Sequence, residues 1–392
     1  MQRDKMKLSD FSVGTRLSLF YILFFINAGI YMPFWPVGLE SRGMGPVEIG
    51  LLFAIGRFAR VISSPLIAYG ADRLGTRRAP LLLLTGCTTA IFLLYHYCEF
   101  VWQFAAVAAA VGVAWGTVMP LGDSLAIVNS QTREIDYGRV RLWGSMSFIL
   151  AALGGGKMLE SAPEAAIFWV LIASFVALFI ACGLLPDTRV ETEPIRLVGI
   201  WRLFANPLFA LFMISSALLQ TSHLVVYNYG TLHWRTAGVS DGIIGMLWAT
   251  GVIAEVLLFA IGARFVDRLG PGRLFLMAAS AGVLRWTVLA SSTALPVLFV
   301  VQTLHAFTFG AAHLAAMAFI SRAIPAHLSA TAQSLHGSVA LSVAAGVTAP
   351  FLGYIYEAFG GGAFHAMTLF SIAGGACAFL LMRRWDGYKI AL

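Results

Sequence analysis

Charge is scarce in this sequence. Asp, Glu, Lys and Arg make up 11% of its 392 residues, 59% are apolar, and the mean hydropathy is +0.82. An ordinary soluble domain is about a quarter charged, so that class is excluded at once. Cysteine is scarce too: Cys87, Cys98, Cys182 and Cys377 form no CxxC pair, and three lie in apolar runs, so neither a metal site nor a disulfide framework is indicated. No GxxxxGK[ST] phosphate loop is present, which removes support for ATP hydrolysis. Hydroxyls isolated in apolar runs make no nucleophilic triad. The chain is therefore expected to be no enzyme and to need neither cofactor nor metal. A membrane sensor is disfavoured, because no soluble domain is there to carry a signal.

What is present is a series of apolar runs of about 20 residues, the length that crosses ~30 Å of hydrocarbon as a helix. Lipid offers the backbone no hydrogen-bond partners, so such runs must be helical. The spans fall near 15–39, 46–70, 79–97, 101–128, 140–160 and 164–185, then 207–230, 242–263, 274–292, 295–320, 331–357 and 362–382. The first is too long for a signal peptide and has no small-residue cleavage site after it, so it is read as a retained helix. A polar stretch at 186–206, with Pro186, Pro194 and charges from Asp187 to Arg202, separates the two sets. The reading is an all-α integral membrane protein of twelve transmembrane helices, with bundles at 1–185 and 207–392 and a linker at 186–206.

A net charge of +7 raises the question of nucleic acid, and its placement answers it. The N-terminus, alternate loops and C-terminus on one side hold 19 of the 26 Lys and Arg residues, including Arg3, Lys5, Lys7, Arg189, Arg273, Arg383 and Arg384. The opposite loops hold only Arg42, Lys157 and Arg235. Positive charge stays on the cytoplasmic side, so both termini and the linker are expected there, in the inner membrane, and no nucleic-acid partner is implied.

The halves repeat. At an offset of 195 residues, Gly45–Gly75 lies over Ser240–Gly270 without a gap. Identities include Ile49/Ile244, Gly50/Gly245, Gly56/Gly251 and Ala59/Ala254, closing with Asp72-Arg73-Leu74-Gly75 over Asp267-Arg268-Leu269-Gly270. Parallel six-helix repeats with a site between them near the midplane are one recurrent membrane architecture. The doubled DRxG, extended in the first copy through Arg77 and Arg78, resembles the loop signature of the major facilitator superfamily. Ala68 and Ala263 stand where that signature usually opens with Gly. The resemblance implies a gating clamp from Asp72, Arg73, Gly75, Arg77 and Arg78 and from Asp267, Arg268 and Gly270. Gly75 permits the tight turn, and the arginines tie neighbouring helix ends by charge-assisted bonds.

The run Asp136-Tyr137-Gly138-Arg139-Val140-Arg141-Leu142-Trp143-Gly144-Ser145 closely resembles the phenylpropionate permease type and, more distantly, the lactose permease and nucleoside:proton symporter branch. Pro33-Phe34-Trp35, Gly251 to Val256, Arg285-Trp286, Thr293 to Pro296 and His313 to Met317 extend that likeness over most of the chain. It implies a secondary active transporter, a proton-coupled uptake permease for a small organic solute, with an aromatic carboxylate such as phenylpropionate first. A nucleoside or sugar symporter and a proton-driven efflux antiporter are the alternatives. Antiporters usually carry a Gly-Pro pair late in helix 5, and 140–160 contains no proline. The expected partners are a small-molecule substrate, protons and the lipid bilayer, and the chain is expected to act as a monomer.

Charges inside spans cost ~2.5–3.5 kcal/mol each on insertion scales, so they face a cavity or a partner. Here they are Arg57, Arg60, Asp123, Arg141, Glu255 and Arg285, and the surplus of arginine suits an anionic substrate. Asp123 and Arg141 stand 18 residues apart, the lactose permease spacing of a sugar-holding pair, which implies that they line the substrate site; an interfacial anchor is the alternative for Arg141. Trp143 and Tyr227 are added as aromatic contacts, although membrane tryptophans more often serve packing. Arg285 and His305, 20 residues apart, match the arginine and histidine of the lactose permease proton site. Thr308 stands where that site has its proton-carrying glutamate and cannot titrate, so Glu255 is the candidate carrier, assisted by Arg285, His305 and His313. A structural salt bridge is the alternative for Glu255. Gly112-x-x-x-Gly116 reads as a close helix contact.

Overall fold

A computed structural model describes residues 12–133, 135–188 and 198–390; Arg3, Lys5, Lys7, Arg189 and the linker stretch 189–197 lie outside the described residues. Among those described, ten helical segments are long and apolar enough to cross a membrane. Two of them run to 51 and 54 residues, more than twice what a bilayer accommodates. Each is broken by a glycine of positive φ: Gly270 (φ 70°) before Pro271, and Gly360 (φ 52°). Dividing them there gives twelve crossings: α1 (Val13–Glu40), α2 (Pro46–Leu74), α3 (Arg78–Tyr97), α4 (Val101–Thr132), α5 (Tyr137–Leu159), α6 (Ala165–Leu184), α7 (Pro207–Thr236), α8 (241–269), α9 (271–291), α10 (Leu295–Ala323), α11 (326–359) and α12 (Phe364–Arg384). The stretch read as polar linker contains a short helix, Val198–Ala205.

Start signals follow the local chemistry. Ser12 caps α1, Asp136 caps α5 by accepting from the Arg139 amide, and Asn206 caps α7 with Pro207 next in line. Four helices depart from regularity inside the membrane. α4 breaks at Gly116–Thr117, α7 at Ser222–His223, and α10 and α11 wind as π-helix over Ala306–Ala311 and His336–Val343. Such turns often mark functional sites, because they re-aim side chains and free backbone groups.

The repeat is visible as paired seams. Gly50 of α2 lies against the Ala349 carbonyl of α11, and its counterpart Gly245 of α8 lies against the Ala152 carbonyl and Gly156 of α5; a methyl group at either would sit below 3 Å from backbone. The second helix of each half thus grips the fifth of the other. Buried apolar residues fall into three clusters. One spans both halves, joining Ile30–Leu39 and Ile49 to Leu224–Leu232, Ile244 and Ala349. The other two each stay in one half: Leu17–Phe24 with Leu121–Ala126, and Leu258 with Ala311–Ile320. The halves therefore share a core at one end and keep separate cores at the other.

Polar links between the halves sit on the shared side: Tyr229 Oη donates to the Pro46 carbonyl at 3.0 Å, and Arg235 Nη2 to Glu164 at 3.0 Å while its Nε reaches Asp241 at 2.8 Å. Glu164, in the loop before α6, is held below the usual carboxylate range by its own backbone amide and then by Arg235.

Candidate functional site

In the second half, α7, α8, α9 and α10 converge on Arg285. Its Nη2 donates to Gln302 Oε1 at 2.8 Å, and its Nη1 to Thr308 Oγ1 at 2.9 Å and His305 Nδ1 at 3.1 Å. Guanidinium only donates, so His305 Nδ1 presents its lone pair and the ring proton sits on Nε2. That nitrogen faces Glu255 Oε2 at 3.3 Å. On the other branch His223 Nδ1 meets the Gln220 carbonyl at 3.2 Å, and its Nε2 meets Thr308 Oγ1 at 3.0 Å. A carbonyl only accepts, so His223 carries its proton on Nδ1 and accepts from Thr308. The hydrogen bonds then point away from Arg285: one runs to His305, whose ring approaches Glu255, a second through Thr308 and His223 to the Gln220 carbonyl, and a third through Gln302 to the Leu247 carbonyl at 3.2 Å. Thr308 is the hinge of that second chain, and the π-turn of α10 is what carries it.

Phe309 stacks between His305 and His313, at 5.3 and 6.3 Å between ring centroids. No hydrogen bond joins His313 to the chain among the described residues, although it and Arg141 of the other half lie within electrostatic range of Glu255.

In the first half Asp123 accepts from Tyr21 Oη at 2.6 Å and from Tyr137 Oη at 3.2 Å. Arg141 lies over Phe25, 4.2 Å from the ring centroid, within electrostatic range of Asp123 but with no ion pair to it among the described residues. The expected pair thus shares a neighbourhood, and the tyrosines occupy the carboxylate. Trp143 is not brought to it: it is 55% exposed and shares an apolar stripe with Leu142, Met146 and Leu150.

Between the halves lies a cavity of about 320 Å³, in the range of ligand sites. Tyr31 and Trp35 of α1, Arg57 and Arg60 of α2, Trp115 of α4, and Tyr227 and Asn228 of α7 line it. Of the four residues proposed from sequence for the substrate site only Tyr227 reaches it. Arg57 and Arg60 had shown themselves as arginines inside a span, whereas nothing in the sequence singled out Asn228 or Tyr31. Asn228 becomes relevant only because the break in α7 turns that segment toward α2.

The repeated loops differ. After α2, Gly75 (φ 64°) closes the helix, Arg77 is buried on Asp72 and donates to Ser124 Oγ at 3.4 Å, and Arg78 donates to the Gly183 carbonyl. Three helix ends are tied together. Arg73 lies over Tyr69 at 5.2 Å. After α8, Asp267 is 79% exposed and meets Arg322 only at 3.8 Å. Among the described residues no hydrogen bond or ion pair holds Arg268.

The family description "MFS_1 like family" matches residues 14–367, nearly the whole chain. The chain belongs to the MFS_1 like family. This MFS_1 like chain is 30% identical over 366 residues to a protein of Escherichia coli (strain K12) named "Probable 3-phenylpropionic acid transporter", covering 91% of this chain and 94% of that one. It is 27% identical to the maltose permease of Geobacillus stearothermophilus, over 94% and 95% of the two chains. Among solved structures, nucleoside transporter NupG (D323A mutant) superposes with a TM-score of 0.85 at 15% identity, covering 96% of this chain and all of that one. A bacterial homologue of the lysosomal transporter Spinster superposes at 0.72, with 15% identity and coverage of 95% and 98%. The fold is the major facilitator fold, and the chain is a multi-pass membrane transporter and not an enzyme.

Proposed function

We propose that this transporter is a proton symporter that takes up a small aromatic carboxylate across the inner membrane. The bundles 1–185 and 207–392 act as two rocking bodies joined by the linker 186–206, with both termini cytoplasmic. In that orientation the shared core closes the outer side, and the separated ends face the cytoplasm.

The observation that carries the coupling is Glu255 set 3.3 Å from His305 at the end of the chain that begins at Arg285. A carboxyl group in a poorly solvated helix favours its neutral form, while a nearby cation favours the ionised one. Rocking that changes how closely Glu255 meets His305 or Arg141 makes it bind a proton in one state and release it in the other. On the substrate side, the E. coli relative named for 3-phenylpropionic acid and the arginine-lined aromatic cavity favour an aromatic anion.

Uptake of labelled 3-phenylpropionate, maltose and a nucleoside into proteoliposomes under an inward proton gradient tests the reading. Gradient-driven accumulation of the carboxylate alone is expected; accumulation of the sugar or nucleoside in its place contradicts it. Orientation has its own check, in a background without the four native cysteines. Single cysteines at Ser9 and Thr192, both outside the described residues, should resist an impermeant thiol reagent in intact cells. Labelling before permeabilisation would reverse the assignment.

A further inference from the structure

The charges of the central cavity do not balance. Arg57 and Arg60 both line it, and no carboxylate among the described residues does. Arg57 Nη2 donates to Asn228 Oδ1 at 3.3 Å across the gap between the halves. Its Nη1, out of contact with solvent, has no hydrogen-bond partner among the described residues, and the same holds for Asn228 Nδ2. Asn228 is 1% exposed. Two buried donors side by side lack acceptors, at a place where leaving a donor unpaired costs about 1–3 kcal/mol. A structure meant to be sealed would supply an Asp or Glu. Its absence, next to an open space, marks the acceptor as something that arrives.

The surroundings define the remainder of that visitor. Tyr31 and Trp35 are nearly parallel, 6.1 Å apart between centroids, and Trp115 stacks on Phe24 at 4.7 Å. Tyr227, next to Asn228 in the chain, completes the wall. Flat walls of this kind favour a flat ring, held by stacking and edge contacts. A sugar or nucleoside would offer hydroxyls to the donors but would leave the guanidinium charge uncompensated.

We infer that Arg57 and Asn228 form the carboxylate subsite of this transporter, with the ring of the substrate held among Tyr31, Trp35, Trp115 and Tyr227. This rests on the aromatic-carboxylate reading above and says where, and by what groups, the anion is held. The carboxylate takes the place of Asn228 Oδ1 as acceptor and bridges α2 to α7, so binding draws the two halves together. The same segment of α7 transmits the event: Tyr227 stacks on His223 at 5.5 Å, and His223 accepts from Thr308, which Arg285 holds.

Trp35 and Trp115 in the cavity wall give an optical readout. Binding to the purified full chain in detergent is followed by quenching of tryptophan fluorescence, with 3-phenylpropionate and its neutral amide as probes. Wild type is expected to bind the acid at least about tenfold tighter than the amide, the scale of one charge-assisted bond. Arg57→Gln should bring the two within about twofold. Because Arg57→Gln removes a buried side chain and can harm folding, Asn228→Asp is the second variant. It gives Arg57 a resident carboxylate, so it should lose acid binding about tenfold, keep amide binding, and melt no lower than wild type. A tenfold preference for the acid that persists in both variants overturns the subsite and leaves the transport reading standing. A wild type that responds to a sugar or nucleoside and to neither probe overturns both.

Discussion

Arg141 lies against the face of Phe25, 4.2 Å from its centroid, and its field reaches Asp123 in its own half and Glu255 in the other. A guanidinium stacks on an aromatic ring in a way that ammonium cannot copy. Arg141 does not line the cavity, so Arg141→Lys should keep substrate affinity within about twofold of wild type and lower gradient-driven uptake by about tenfold. Asp123→Asn should impair uptake less, because Tyr21 Oη and Tyr137 Oη still find an acceptor in the amide oxygen. Uptake and equilibrium binding measured on both variants read this out, and a tenfold loss of affinity in Arg141→Lys would place Arg141 in the substrate site. At this scale the sequence disclosed what costs energy to bury. Arg57, Arg141, Glu255 and Arg285 stood out because a charge in a span needs a reason. Asn228 did not stand out, since a neutral side chain in a helix carries no such signature, and Thr308 drew notice only as the residue at the glutamate position of the resembling site. The role of Thr308 as the bridge between Arg285 and His223 exists only once α10 has its π-turn.

The glycine pair of α4 explains how two arginines can ride on α2. A Cβ at Gly112 would meet the Gly56 carbonyl oxygen at 2.2 Å, and one at Gly116 would meet the stem of Arg60 at 2.3 Å. α4 therefore presents bare backbone to α2 along the turns that carry Arg57 and Arg60. Because backbone cannot step aside as a side chain does, Gly112→Ala should push α2 away, at a cost of about 1–3 kcal/mol for overpacking. A lower melting temperature together with weaker substrate binding is expected; an unchanged protein would mean that α2 and α4 are not held this closely. The small-xxx-small spacing announced this contact in the sequence, though not its partner. Helix ends were legible to within a few residues wherever proline or glycine marked them, as at Pro46, Pro207 and Gly270. The breaks in α4 and α7 were not, because Gly116–Thr117 lies in an apolar run and the polar stretch Gln220-Thr221-Ser222-His223 is too short to end a span.

For the molecule as a whole, the repeat was the most informative feature of the chain. The offset that aligns Gly50 with Gly245 also aligns Arg60 with Glu255, so the two halves place opposite charges at equivalent turns of α2 and α8. α2 grips α11 and α8 grips α5 through those glycines, while the loops that follow α2 and α8 differ: Asp72 is clamped to Arg77 and Asp267 stays exposed. The halves share a core at one end and keep separate cores at the other, the form that the proposed rocking about a closed end requires. The account stands or falls on whether that rocking is tied to a proton at Glu255. The most direct measurement compares wild type with Glu255→Gln in proteoliposomes, reading labelled 3-phenylpropionate under an inward proton gradient and, separately, exchange at equal pH on both sides. The glutamine mimics a carrier that is always protonated, so the variant should exchange substrate at a rate near that of wild type and fail to accumulate it. Accumulation against the substrate gradient by Glu255→Gln, still driven by pH, would contradict the account and move the proton to His305 or His313.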